Sequence, residues 1–154
     1  MIPVDLRRVT PAEKMAGEDA DETAMLRDML IRAETLLRSF SWCPPIAQRY
    51  LGVGIGGVLA LFLFRFARAI NNNDEWLWVV VGDLPSVYFV VDEARDPASA
   101  LGVYCDLMQE WVDAVASGSS LDDVYPVDAA ATKDNADMLR SRVKFIREQI
   151  VPSL

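Results

Sequence analysis

The chain has 154 residues, 52% of apolar types and 25% charged, the composition of a packed globular protein and not of a disordered one. It carries 15 Lys and Arg against 23 Asp and Glu, a formal net charge of −8, and no histidine. These counts exclude Ser-His-Asp and Cys-His nucleophile machinery and any zinc site that uses imidazole. The acidic balance also argues against a protein that grips nucleic acid through its overall field.

The first residues, MIPVDLRRVTPAEKM, lack the apolar stretch and small-residue cleavage site of a secretory signal. Residues 1–18 read as an arm loosely attached to a single domain spanning 1–154. Within the arm, Thr10-Pro11-Ala12-Glu13 has the form of a helix start. Thr10 is placed to cap, Pro11 fits the first helical position, and Glu13 completes a capping box. A longer helix is expected to begin at the acidic stretch Glu18–Glu22. Its apolar stripe is Leu26, Met29, Leu30, Ala33, Leu36, Leu37 and Phe40, at the spacing of one buried helical face. Pro44-Pro45 must end it, since neither proline has an N–H.

From Gln48 to Asp92 the periodicity drops from 3.6 to 2. Leu51, Val53 and Ile55 are expected on one strand face, with Tyr50, Gly52, Gly54 and Gly56 on the other. In the next run Phe62, Phe64 and Phe66 oppose Leu61 and Leu63, so that strand is apolar on both faces and reads as central. Gly56-Gly57 reads as the hairpin turn between them, because glycine accepts positive φ at either position. Asn71-Asn72-Asn73-Asp74 is a second turn, Glu75–Gly82 a third strand with Trp76, Trp78 and Val80 on one face, Asp83-Leu84-Pro85-Ser86 a third turn, and Val87–Asp92 a fourth strand. The run Leu51–Phe64 is uncharged, but its 14 positions fall short of the ~18–20 that a spanning helix needs, and four of them are glycine. No membrane span is expected.

Asp96-Pro97 opens a helix as cap and first helical residue. Its buried stripe is Leu101, Tyr104, Met108, Trp111, Val112 and Val115, its wet face Asp106, Glu110 and Asp113, and its stop Gly118. A loop over Ser117–Ala131 leads to a last helix capped by Thr132, with the stripe Leu139, Val143, Ile146 and Ile150, ending at Pro152. The order α–ββββ–α–α predicts an α+β fold: a four-stranded antiparallel meander preceded by an N-terminal helical segment and followed by two helices.

No motif in the chain carries chemistry of its own. Gly52-Val53-Gly54-Ile55-Gly56-Gly57 satisfies G-x-G-x-x-G, but the following VLALFLFRF is a strand pattern and not the helix a dinucleotide site needs. The glycines read instead as a bare strand face that lets a helix or large aromatics approach. Asp92, Glu93 and Asp96 cluster at a strand end without the D-x-D-x-D-G spacing of a calcium loop. Cys43 and Cys105 form no C-x-x-C pair and read as small apolar residues in a reducing cytoplasm. No cofactor, metal or catalytic residue is assigned.

Charge is distributed unevenly. Residues 71–131 hold 12 acidic and 1 basic side chain, net −11, whereas residues 132–154 hold 3 acidic and 5 basic, with Arg140, Lys144 and Arg147 on one side of the last helix. Asp74-Glu75-Trp76-Leu77-Trp78, Gly82-Asp83-Leu84-Pro85-Ser86, Asp96-Pro97 and Met108-Gln109-Glu110-Trp111-Val112 resemble a family of small bacterial proteins of unknown function, over roughly residues 45–150. The resemblance implies the order of elements and a bacterial cytosolic setting, and it assigns no residue a role.

The leading expectation is a non-catalytic protein-binding module, like an immunity protein or a chaperone, that presents acids such as Asp83, Asp92, Glu93, Asp122 and Asp123 to a basic partner protein. The alternative is a small-ligand-binding protein or unusual enzyme with an aromatic pocket around Trp76, Trp78 and Tyr88. Self-association into a homo-oligomer is a third reading.

Overall fold

The computed structural model describes residues 2–70, 74–92 and 94–154, in two compact units, 1–97 and 98–154. The turn Asn71-Asn72-Asn73 and Glu93 lie outside the described residues. The first unit is built on a five-stranded antiparallel sheet in sequential order: β1 (Thr10–Pro11), β2 (Ile46–Ile55), β3 (Leu59–Phe66), β4 (Trp76–Gly82) and β5 (Val87–Val90). Strands β3 and β4 are buried on both faces, which is why their sequences are apolar at consecutive positions.

The fifth strand corrects the four-stranded expectation. Thr10 caps no helix: Thr10 and Pro11 pair with Leu51 and Tyr50 as an edge strand, and only a single 3-10 turn without a side-chain cap follows at Ala12–Lys14. A proline is tolerated there because an edge strand needs no N–H on its open side.

One face of the sheet is covered by α1 (Ala20–Arg38). Leu26, Met29, Leu30, Ala33 and Leu37 pack on Ala60, Phe62, Phe64, Phe66, Leu77, Val79 and Val81, as the helical stripe predicts. The helix begins at Asp19, whose carboxylate accepts the Glu22 N–H at 2.8 Å, while Glu22 reaches back to the Glu18 N–H at 2.8 Å. This is a capping box moved one residue outward.

The alternation expected of β2 fails midway. Leu51 pairs with Phe62 but Val53 with Leu61, so a bulge at Leu51–Gly52 absorbs one residue. Leu51 therefore joins Gly54 and Gly56 on the α1 face instead of siding with Val53 and Ile55. The glycines act as expected by leaving room: a Cβ on Gly54 would lie 2.5 Å from Leu26 Cδ2, and one on Gly56 would lie 2.9 Å from Glu22 Cγ. Glu22 also accepts the Gly56 N–H at 3.2 Å, and Glu34 of α1 pairs with Arg49 of β2, tying helix to strand twice more.

In the second unit, α2 (Pro97–Ser117) buries Leu101, Tyr104, Cys105, Met108, Trp111 and Val112 and exposes Asp106, Glu110 and Asp113. It ends in a Schellman motif. Gly118, at φ 69°, donates to Val115 O, and the Ser119 N–H bonds Ala114 O at 2.9 Å. Helix α3 (Lys133–Phe145) is capped by Thr132 Oγ1, which accepts the Asn135 N–H at 3.3 Å. It widens into a π-turn over Ile146–Ile150 and tightens to a 3-10 turn over Val151–Ser153, where Pro152 has no N–H to continue the ladder. Arg147 Nη2 reaches Asp106 Oδ1 of α2 at 2.8 Å. No helix among the described residues is long and apolar enough to cross a membrane.

Candidate binding surfaces

Trp76, Trp78 and Tyr88 are not brought together. Trp78 is fully buried, and its indole Nε1–H donates to Ala94 O at 2.8 Å, satisfying the one polar atom of a core side chain. Trp76 is also buried. Tyr50 stacks on it at 6.1 Å, and the Arg65 guanidinium, paired with Glu75 at 3.5 Å, sits 5.3 Å from its ring centre. Tyr88 pairs with Val79 in the register, which places it on the α1 face, opposite the tryptophans.

There Tyr88 meets two aromatics from the chain that follows α1. Phe40 and Trp42 stack at 5.2 Å with their planes 9° apart, and Tyr88 lies 5.1 Å from Phe40 and 5.4 Å from Trp42. Beside them opens a cleft of 440 Å³ lined by Trp42, Ile70, Asp74, Leu77, Tyr88, Phe89 and Val90. Sequence reasoning missed Trp42. It lies beyond the helical stripe and before Pro44-Pro45, where no local period links it to β5. A large aromatic stranded in a polar turn was the one available signal.

The acids named from sequence belong to both units. Asp83 and Asp92 are exposed at opposite ends of β5 in the first unit, and Asp122 and Asp123 are exposed on the loop between α2 and α3 in the second. The Asp122 N–H bonds Ser120 Oγ at 3.1 Å. Glu93 is outside the described residues. A more continuous acidic surface runs along α2, where Asp106, Glu110 and Asp113 recur at i, i+4, i+7 and are all exposed. Residues 98–131 contain six acids and no Lys or Arg.

The basic side of α3 offsets little of this. Arg147 takes Asp106, but Arg140 donates at 2.6 Å to Asp137 of its own helix, which also receives Lys133 at 3.0 Å. Those two hydrogen bonds hold the Asp137 carboxyl below its ordinary range. Among the described residues Lys144 makes no ion pair with an acid.

Burial pushes the Cys105 thiol up to about 11 and the Cys43 thiol upward too, so neither is primed as a nucleophile. Among the described residues no three His, Cys, Asp or Glu side chains converge as metal ligands. Helix α2 and its loop thus present exposed acids, and the described residues of the β5 cleft form an apolar hollow that includes the Asp74 carboxylate. Compared with known proteins, the chain matches no family model, no curated protein and no solved structure, so no residue role comes to it by likeness.

Proposed function

We propose that this chain is a non-catalytic protein-binding module of a bacterial cytosol, meeting a basic partner protein as an immunity protein or a chaperone does. The observation that carries the reading is the surface of residues 98–131. It has six exposed acids and no basic side chain, and among the described residues only Asp106 of these six meets a Lys or Arg. Such a surface speeds encounter with an oppositely charged partner and penalises like-charged ones. Helix α2 supplies the rigidity, because its apolar stripe fixes the rotation at which Asp106, Glu110 and Asp113 face water.

The test is capture from the source cells at low salt, followed by affinity measurements on the purified partner with the parent chain and with E110K/D113K. A partner of basic pI is expected, with binding that falls as salt rises and drops about tenfold or more on double reversal. A partner held equally by both chains, at all salt concentrations, would refute the reading. A second reading, small-ligand binding, is favoured by one observation, the cleft beside Trp42 and Tyr88.

A further inference from the structure

The geometry points to the cleft at β5 as a binding site for a small organic ammonium ion, an amine with an apolar body, held against the Trp42–Tyr88 wall with Asp74 as its counter-charge. Three observations converge, independent of the acidic surface of α2. The cleft's 440 Å³ lies within the ~300–1,000 Å³ range of small-molecule sites. Its walls are Ile70, Leu77 and Val90 with the half-buried aromatics Trp42 and Tyr88, so an apolar body is matched there.

Asp74 is the one acid in that lining among the described residues. It is half-buried, and its backbone is fixed by the Ile70 N–H donating to Asp74 O at 2.8 Å. Among the described residues no Lys, Arg or hydrogen-bond donor meets its carboxylate. A cation in the cleft gives this carboxylate a charge-assisted partner.

The aromatic cluster favours the same charge. Phe40, Trp42 and Tyr88 gather three rings beside the cleft, and a ring quadrupole attracts a cation about 6 Å or less from its centre. A neutral ligand would gain the apolar walls alone. An anion would meet Asp74 and the ring faces, both repulsive. The site therefore selects on charge first and on the shape of the apolar body second.

The probes are 2-phenylethylamine and its uncharged analogue 2-phenylethanol, titrated into the full chain. The readout is the indole signals of the four tryptophans in a ¹H–¹⁵N spectrum, with Trp42 assigned from W42F. The amine is expected to shift the Trp42 indole saturably and to bind about tenfold tighter than the alcohol. D74N should erase that difference while leaving the spectrum folded, and D122N, a neutralised acid in the other unit, should leave it unchanged. Three results would each overturn the assignment: equal binding of amine and alcohol to the parent chain, a preference that survives D74N, or saturation with the Trp42 signal unmoved.

Discussion

Gly82 closes β4 at a point where a side chain has nowhere to go. Its φ is 148°, and a Cβ built there would lie 2.2 Å from Val58 O and 2.9 Å from Leu59 Cα. Both obstacles are backbone. Val58 O accepts the Asp83 N–H at 2.9 Å, and Leu59 pairs with Gly82 across the β3–β4 ladder, so neither withdraws without opening the hairpin. For Gly82→Ala the strained backbone costs ~1–3 kcal/mol and the forced displacement ~1–3 kcal/mol more, about 2–6 kcal/mol together. Two other glycines separate these contributions. Gly118 has φ 69° but nothing within 4 Å of a built Cβ, so Gly118→Ala should cost only the left-handed conformation, ~1–2 kcal/mol. Gly102 lies inside α2 with the same open space, so Gly102→Ala should stabilise by about 0.5–1 kcal/mol. Urea unfolding followed by circular dichroism, comparing midpoints at matched slopes, measures all three. A loss in G82A no larger than in G118A would refute the steric argument, because Val58 O would then have moved aside freely.

Glu22 bonds both the Glu18 and Gly56 N–H groups, so Glu22→Ala should cost about 1–2 kcal/mol in the same assay, and a loss below ~0.5 kcal/mol would show that helix and hairpin are joined by apolar contact alone. Cys105 titrates near 9 when unfolded and about 11 when folded, so the unfolded chain loses its proton first and stability falls as pH rises from about 9 through 11. The buried Tyr104 hydroxyl, also raised, acts in the same direction, and C105A should flatten the alkaline decline without abolishing it; an unchanged slope would contradict the assignment. The Arg147–Asp106 pair is 44% and 76% exposed, so a double-mutant cycle should give a coupling of no more than ~0.5 kcal/mol that disappears in ~1 M salt, and a coupling above ~2 kcal/mol would mean it is shielded from water.

Local chemistry was legible wherever a residue's environment is set by neighbours a few positions away. The α1 stripe, the Thr132 cap, the Gly118 stop and the two-sided burial of β3 all follow from period, capping oxygens and turn residues. Thr10-Pro11 was misread for the same reason. It carries the local signature of a helix start, and only β2, some forty residues on, makes it a strand. The bulge at Leu51–Gly52 was equally hidden, since alternation along one strand does not reveal how many residues its partner supplies.

The candidate sites divide along the same line. Sequence alone determined that acids crowd residues 71–131 and that α2 turns Asp106, Glu110 and Asp113 to water, because charge and helical period are properties of the chain itself. Tertiary structure decided which acid is neutralised, because a salt bridge between Arg147 and Asp106 depends on how two helices lie together. It also decided where an aromatic pocket forms. Strand register put Tyr88 on the opposite face from Trp76 and Trp78, and the turn after α1 carried Trp42 to it. A cleft is a meeting of distant segments, and no periodicity within any one of them encodes it.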